Sequence, residues 1–220
     1  MPSTLIKSGT GSFRVSGKHK MRRGTVAFLR IWRLGYTHPR RAIELLSEQP
    51  APLWGLCAQG VRGLLDGLLL YLPLALMGKE PSTPSYLVLL PTATYYQALV
   101  FLAPVLLLMQ WLLISAIAHL TLRLLGRRGG FDQILNLTGL SALVVGAFLV
   151  LWDWVWVLVG LQSDVLLGYS HLVLDLWGMV ITTIGLRCFL DVPVWLGVVL
   201  NLVMLVAGLP LAVIFMRAPV

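Results

Sequence analysis

Long apolar stretches separated by short polar segments dominate the chain from residue 53 onward. They span about 53–78, 98–120, 135–161, 169–190 and 194–216. A helix needs about 20 apolar residues to cross the hydrocarbon core of a bilayer, because each residue adds about 1.5 Å. The pattern therefore predicts an all-α, polytopic membrane protein, with a bundle of five transmembrane helices forming one membrane domain over 53–216.

Residues 37–52 predict a short N-terminal amphipathic helix before the first span. Pro39 suits the first turn of a helix, and two further prolines end the segment. Its apolar positions form one stripe, and Arg40 and Arg41 are expected near phospholipid headgroups at the membrane surface. A helix packed under the bundle would show the same pattern, so both placements stay open.

Positive charge is concentrated before the first span. Residues 1–52 hold ten Lys or Arg but only two acids, Glu44 and Glu48, so the whole net charge of +8 arises there. Residues 1–36 are predicted to be a basic, mostly disordered cytoplasmic tail. A transit peptide or a translation start at Met21 would also fit the first twenty residues. Nucleic-acid binding is not predicted, because aromatics are not interleaved over most of the segment.

The basic residues also predict an orientation. With the N-terminus inside, the outer segments hold only Lys79 and Arg217. The inner segments hold the ten basic residues of the N-terminal segment, together with Arg123, Arg127, Arg128 and Arg187. Because positive charge marks the cytoplasmic side, we expect a cytoplasmic N-terminus and an external C-terminus. Arg127 and Arg128 are then expected at the inner membrane surface, beside anionic headgroups.

Two ionisable residues interrupt the first span. Arg62 and Asp66 lie four residues apart and therefore on one helical face. A charged group at mid-membrane costs at least about 2.5 kcal/mol, so it needs a partner or a role. The pair either neutralises itself toward the bundle or belongs to a polar pathway or lipid-headgroup site.

A polar cluster is predicted in the outer half of the bundle. Asp153 lies among tryptophans in the third span, and His171 and Asp175 begin the fourth. Asp153 either reaches water as part of an interfacial anchor or turns inward toward another helix. The three residues could form a hydrogen-bonded clasp between helices, handle an ion or protons, or be exposed.

A resemblance to a known family rests on two stretches. "ISAIAHLTLRLLGRRGGFDQILNLTGLSALV", residues 114–144, joins an apolar helix to a polar helix start through a Gly-rich basic turn and a Phe. It resembles the membrane domain of the YIP-domain family, the Ypt/Rab-interacting proteins and their small bacterial relatives. "HPRRAIELLSEQPAP", residues 38–52, is similar to the helix before the first span in bacterial members.

The resemblance covers about residues 37–216. It implies a compact bundle of five helices with a cytoplasmic N-terminus, and most closely the small bacterial members, hence a bacterial inner membrane. Eukaryotic members act in vesicle trafficking and bind prenylated small GTPases through a cytoplasmic region larger than this chain has. The family offers no catalytic motif to transfer.

The functional prediction follows from these observations. HExxH, GxSxG and P-loop signatures do not occur, and the two cysteines, Cys57 and Cys188, are expected to be small packing residues. We predict a non-enzymatic, YIP-like membrane protein that organises membranes or binds other membrane proteins, and we expect it to use no cofactor or metal. Its expected partners are anionic lipids, other membrane proteins or a second copy of itself. The alternative is a small transporter or ion- or proton-handling protein that uses the outer polar cluster.

Overall fold

The computed structural model describes residues 16–84, 90–127, 129–215 and 217–218, and over these residues the protein is an all-α helix bundle. A π-helical segment spans Leu65–Tyr71, and a 3₁₀ turn spans Thr92–Thr94. The α-helices are α1 (Ser16–Thr37), α2 (Pro39–Ser47), α3 (Leu53–Leu64), α4 (Leu72–Leu76), α5 (Tyr95–Leu124), α6 (Phe131–Val159), α7 (Asp164–Leu190) and α8 (Val194–Phe215).

Among the described residues, the four helices α5 to α8 are long and apolar enough to cross a membrane. The predicted count of five is therefore not confirmed. The first predicted span, 53–78, forms three consecutive pieces, namely α3, the π segment and α4, and the longest has 12 residues. Its first half is rich in glycine and carries Gln59 and Arg62, and Asp66 follows directly, so this span is less apolar than the others.

The helix ends differ from the predicted bounds for local reasons. α7 begins at Asp164 rather than at 169 because Ser163 caps it, its Oγ accepting a hydrogen bond from the Leu166 N–H at 3.3 Å. α6 ends at Val159 rather than at 161 because Gly160 takes the left-handed conformation, with φ of 74°.

The bundle has two distinct ends. The basic end carries the α5–α6 and α7–α8 turns, which meet where Arg127 Nη1 donates to the Asp191 carbonyl at 3.5 Å. The opposite end, called the Asp164 end below, carries the start of α7. There residues 79–84 meet residues 217–218, with the Ser82 N–H donating to the Ala218 carbonyl at 2.7 Å.

α6 is the central helix, and α3, α5 and α7 all pack against it. α3 comes closest at Gly55 and Gly139, where a Cβ on either glycine would overlap backbone of the other helix. The Gly55 N–H also donates to Asn136 Oδ1 at 2.8 Å. The glycines that weaken the first span as a hydrophobic stretch therefore allow its contact with α6.

The N-terminal segment is more ordered than the sequence predicted. Residues 16–37 form α1, whereas residues 1–15 lie outside the described part of the chain. Ile31 is buried, and a Cβ at Gly35 would overlap Val144 of α6. Packing of α1 against the bundle at Ile31 and Gly35 outweighs the composition that predicted a mostly disordered tail through residue 36.

α2 buries its apolar stripe rather than presenting it to lipid. Ala42, Ile43 and Leu46 are at most 1% exposed and join one core with residues of α6 and α7. Of the two placements open for residues 37–52, the structure has the helix packed against the bundle. α1 and α2 thus form a helical hairpin beside the half of the bundle nearest the basic end.

Both cysteines face outward. Cys57 and Cys188 are exposed, so the expectation that they are small packing residues is wrong. In a membrane protein an exposed thiol on a helix faces lipid as readily as a leucine does, and hydropathy does not distinguish the two faces.

Candidate functional site

The Arg62–Asp66 pair lies inside the bundle, where α3 meets the π segment. Arg62 Nη2 donates to Asp66 Oδ2 at 2.9 Å, and the two side chains are 11% and 7% exposed. A π turn is rare in proteins and is frequent at functional sites. Gly146 of α6 lies directly against Arg62, and a Cβ there would overlap the guanidinium. The pair forms within its own helix and faces the interior.

The Asp153–His171 pair joins α6 to α7. His171 Nε2 lies 2.7 Å from Asp153 Oδ1, and the side chains are 15% and 16% exposed. Beside it, Trp152 Nε1 donates to Ser170 Oγ at 2.7 Å, which adds a second link between the same helices. Of the two interpretations of Asp153, the structure has the inward one.

Asp175 lies apart from that pair. Within the described residues, no hydrogen bond or ion pair reaches its carboxylate, although Arg62 and His171 are close enough to act on it electrostatically. The described residues include no group of three His, Cys, Asp or Glu side chains that could hold a metal ion. Asp153, His171 and Asp175 therefore do not converge into the divalent-metal site that their chemistry would permit.

A cavity of about 1100 Å³ brings these groups together. It lies between α3, the π segment, and α5 to α8, and its wall includes both charged pairs and Asp175. Arg62 and Asp153 are close enough to act on each other electrostatically, as are Asp66 and His171. The five ionisable side chains predicted as two separate features thus belong to one interior site.

Four buried polar atoms in the cavity wall have no hydrogen-bond partner within the described structure. They are Gln59 Oε1, Arg62 Nε, Asp66 Oδ1 and Trp156 Nε1, on residues that are at most 9% exposed. Gln59 Nε2 donates to the Leu107 carbonyl at 2.8 Å, which leaves its Oε1 as the open acceptor. Because buried polar groups are nearly always hydrogen-bonded, these atoms indicate where water or a ligand would bind.

Asp164 organises the opposite end of the bundle, and its role was not predicted from the sequence. Its carboxylate accepts hydrogen bonds from Ser82 Oγ at 2.7 Å, from the Ala218 N–H at 2.6 Å and from Thr83 Oγ1. Tyr96 OH donates to the Arg217 carbonyl at 3.2 Å nearby. The only signal in the sequence was an acid directly after a helix-capping serine.

The predicted membrane-surface arginines lie at the periphery. Arg40 and Arg41 are exposed, and Arg40 lies 3.6 Å from Glu44 in a solvent-accessible pair. Arg127 lines a shallow cleft at the basic end together with His119 and Arg123. Arg128 lies outside the described residues.

Apolar helix exteriors around a charged interior define an integral membrane protein of the all-α class. The chain matches the family model described as the Yip1 domain over residues 35–216, and it belongs to that family. No curated protein and no solved structure is significantly similar to the chain. The predicted family is therefore confirmed, while the link to its bacterial members stays a prediction.

Proposed function

We propose that this protein is a non-enzymatic membrane protein that organises the bilayer around it and binds other membrane proteins or a second copy of itself. The observation that carries the proposal is an asymmetry of shape. The α1–α2 hairpin packs beside the basic-end half of the bundle, where Ile31, Ile43 and Leu46 join the core. That half is therefore broader, and it displaces more lipid from one leaflet than from the other.

The proposed orientation has five spans, with the basic end in the cytoplasm and the Asp164 end outside, in a bacterial inner membrane. Arg123, Arg127 and Arg187 near the basic end support it through the positive-inside rule. α3, the π segment and α4 would together form the first crossing. Reporters fused after Val220 and inserted at Lys79 should both read as external, and a cytoplasmic signal from Val220 would refute the five-span arrangement.

Curvature preference tests the shape proposal. The protein is reconstituted into small and large vesicles, and protease access to the basic N-terminal tail determines its orientation. Molecules whose basic end faces the vesicle exterior should be enriched in the small vesicles, because the outer leaflet of a small vesicle has more area. Equal density in both vesicle sizes for that orientation would overturn the proposal.

Self-association is proposed along the outer face of α3. Cys57 and Leu64 are exposed there, and around Gly60 there is open space for the backbone of a second helix. A bismaleimide should crosslink two copies through Cys57 in native membranes. Cys57→Ser should abolish the dimer adduct, whereas Cys188→Ser should leave it. Loss in both variants, or no adduct with the unsubstituted chain, would contradict this interface.

A second candidate function is the handling of a small solute, ion or proton. The interior cavity with its charged pairs specifically favours it. It predicts binding of a cation or solute that depends on cavity residues but not on the exposed arginines. Charge-neutralising variants that alter only the thermal stability, without altering any binding or pH-dependent transport, would count against it.

A further inference from the structure

We infer that the interior cavity binds an amphiphile with a protonated amine headgroup, which enters from the lipid between α7 and α8. The inference rests on the second candidate function, in which the cavity is a solute site. It commits that site to one class of ligand, in which an ammonium group carries a hydrocarbon chain.

The charge of the cavity wall carries the first step. Among the described residues of the inner wall, Asp66, Asp153 and Asp175 face Arg62 and His171, so with all three acids ionised one negative charge is in excess even when the histidine is protonated. Asp164 and Arg217, which also line the cavity, add one charge of each sign and leave this balance unchanged. An uncompensated buried charge is costly, and a bound cation removes that cost.

The unpaired atoms define the headgroup more closely. Asp66 Oδ1 and Gln59 Oε1 are buried acceptors without a donor, and the carboxylate of Asp175 has no hydrogen bond in the described structure. A primary ammonium offers three donors and no acceptor, so it matches these acceptors, while the two unpaired donors of the same wall, Arg62 Nε and Trp156 Nε1, are left to water. A quaternary ammonium carries the charge but cannot donate, and an alcohol donates without carrying the charge.

The size and lining of the cavity require more than a headgroup. A volume of about 1100 Å³ is far larger than a single ion or water needs. Leu99, Ala103, Met204 and Leu205 provide apolar wall from α5 and α8. A hydrocarbon chain would fill this part of the cavity, whereas a polar solute would find no hydrogen-bond partners there.

The route to the cavity lies between α7 and α8. Near the basic end these helices are joined, with Asn201 Nδ2 donating to Thr183 Oγ1 at 3.0 Å. Toward the Asp164 end, Tyr169 of α7 and Val213 of α8 line the cavity yet are 64% and 49% exposed. The cavity therefore reaches the lipid-facing surface there, so a molecule dissolved in the bilayer can enter sideways.

Equilibrium binding of radiolabelled dodecylamine to the full chain in phosphatidylcholine nanodiscs tests the inference, with empty nanodiscs correcting for partitioning. We expect saturable binding that unlabelled dodecylamine displaces. Dodecanol, dodecyl phosphate and dodecyltrimethylammonium should displace it about tenfold less well, because the loss of one charge-assisted hydrogen bond lowers affinity by about that factor. Equal displacement by dodecanol or by dodecyl phosphate would overturn the inference.

Asp175→Asn is the decisive variant, because it removes the charge without breaking a hydrogen bond in the described structure. We expect it to weaken dodecylamine binding about tenfold, while Asp132→Asn, an exposed acid outside the cavity wall, has no effect. Unchanged binding in Asp175→Asn would overturn the inference.

Small cations separate this inference from the function on which it rests. If sodium or ammonium ions bind and depend on Asp175 while dodecylamine does not bind, the amphiphile is refuted and ion handling stands. If none of these probes binds, both the inference and the solute function fail. Unfolding midpoints measured for each variant exclude loss of fold as the cause.

Discussion

The two charged pairs in the cavity differ in how they connect the chain. Arg62 and Asp66 pair within one helix, whereas Asp153 and His171 pair between α6 and α7. The first pair is more deeply buried and contains an arginine, which stays charged, so this pair cannot become fully neutral. The second contains a histidine, which can remain hydrogen-bonded when neutral. The cost of breaking each pair should therefore differ, and four substitutions examine that difference.

The largest effect is expected from Arg62→Met. It leaves Asp66 buried without its partner, which should lower the free energy of unfolding by about 3–5 kcal/mol. Denaturation of the purified protein in mixed micelles measures the loss. The double variant Arg62→Met/Asp66→Leu should regain most of it, because no uncompensated charge remains. A double variant as unstable as the single one would mean that packing, not charge, sets the cost.

Gly146→Val should have the next largest effect, about 1–3 kcal/mol, because a side chain there displaces the Arg62 guanidinium. Gly60→Val is the matched control when both variants are measured as monomers, since no other atom of the described chain lies within 4 Å of a Cβ at that position. The same unfolding assay compares the two. Equal losses would show that helix propensity, rather than displacement of Arg62, is being measured.

Asp153→Asn should cost less, about 0.6–1.7 kcal/mol, the range for hydrogen bonds between transmembrane helices. The amide can still contact His171, so the link between α6 and α7 weakens without leaving a buried charge. A double-mutant cycle with His171→Leu measures the coupling directly. Zero coupling energy would indicate that the 2.7 Å contact contributes nothing to stability.

Asp175→Asn should have the smallest effect on stability, within about 0.5 kcal/mol, because no hydrogen bond is lost in the described structure. Thermal unfolding without any added amphiphile is the measurement. A loss as large as that of Asp153→Asn would imply a structural partner for Asp175 and would sharpen the contrast between paired and unpaired acids.

The sequence predicted what depends on local spacing and composition. The interval of four between Arg62 and Asp66 was enough to expect their pair, and α5 to α8 were visible as apolar stretches. The all-α fold followed from the same pattern, whereas the family was expected from the resemblance of residues 38–52 and 114–144 to YIP-domain proteins. Asp153 and His171 were expected at a similar depth, since one helix ascends and the next descends.

Features that depend on contacts between distant residues were not predictable in the same way. Asp164 bonds to residues 82 and 54 positions away, and nothing near it in the sequence indicates either contact. The cavity arises from how helices diverge, and hydropathy carries no information on that. The π segment within the first span has no compositional signature, so a continuous helix was the natural expectation there.

The contacts of Asp164 also have a consequence for the order of assembly. Ser82 emerges from the ribosome early, but its backbone N–H is paired only when Ala218 is present. Synthesis of the 54 residues between Asp164 and Ala218 takes about 3–11 s at typical rates. During that interval, Ser82 and Asp164 are both present but lack their hydrogen bonds to Ala218. Until residue 218 arrives, water or lipid headgroups can take its place as the hydrogen-bond partner of these groups.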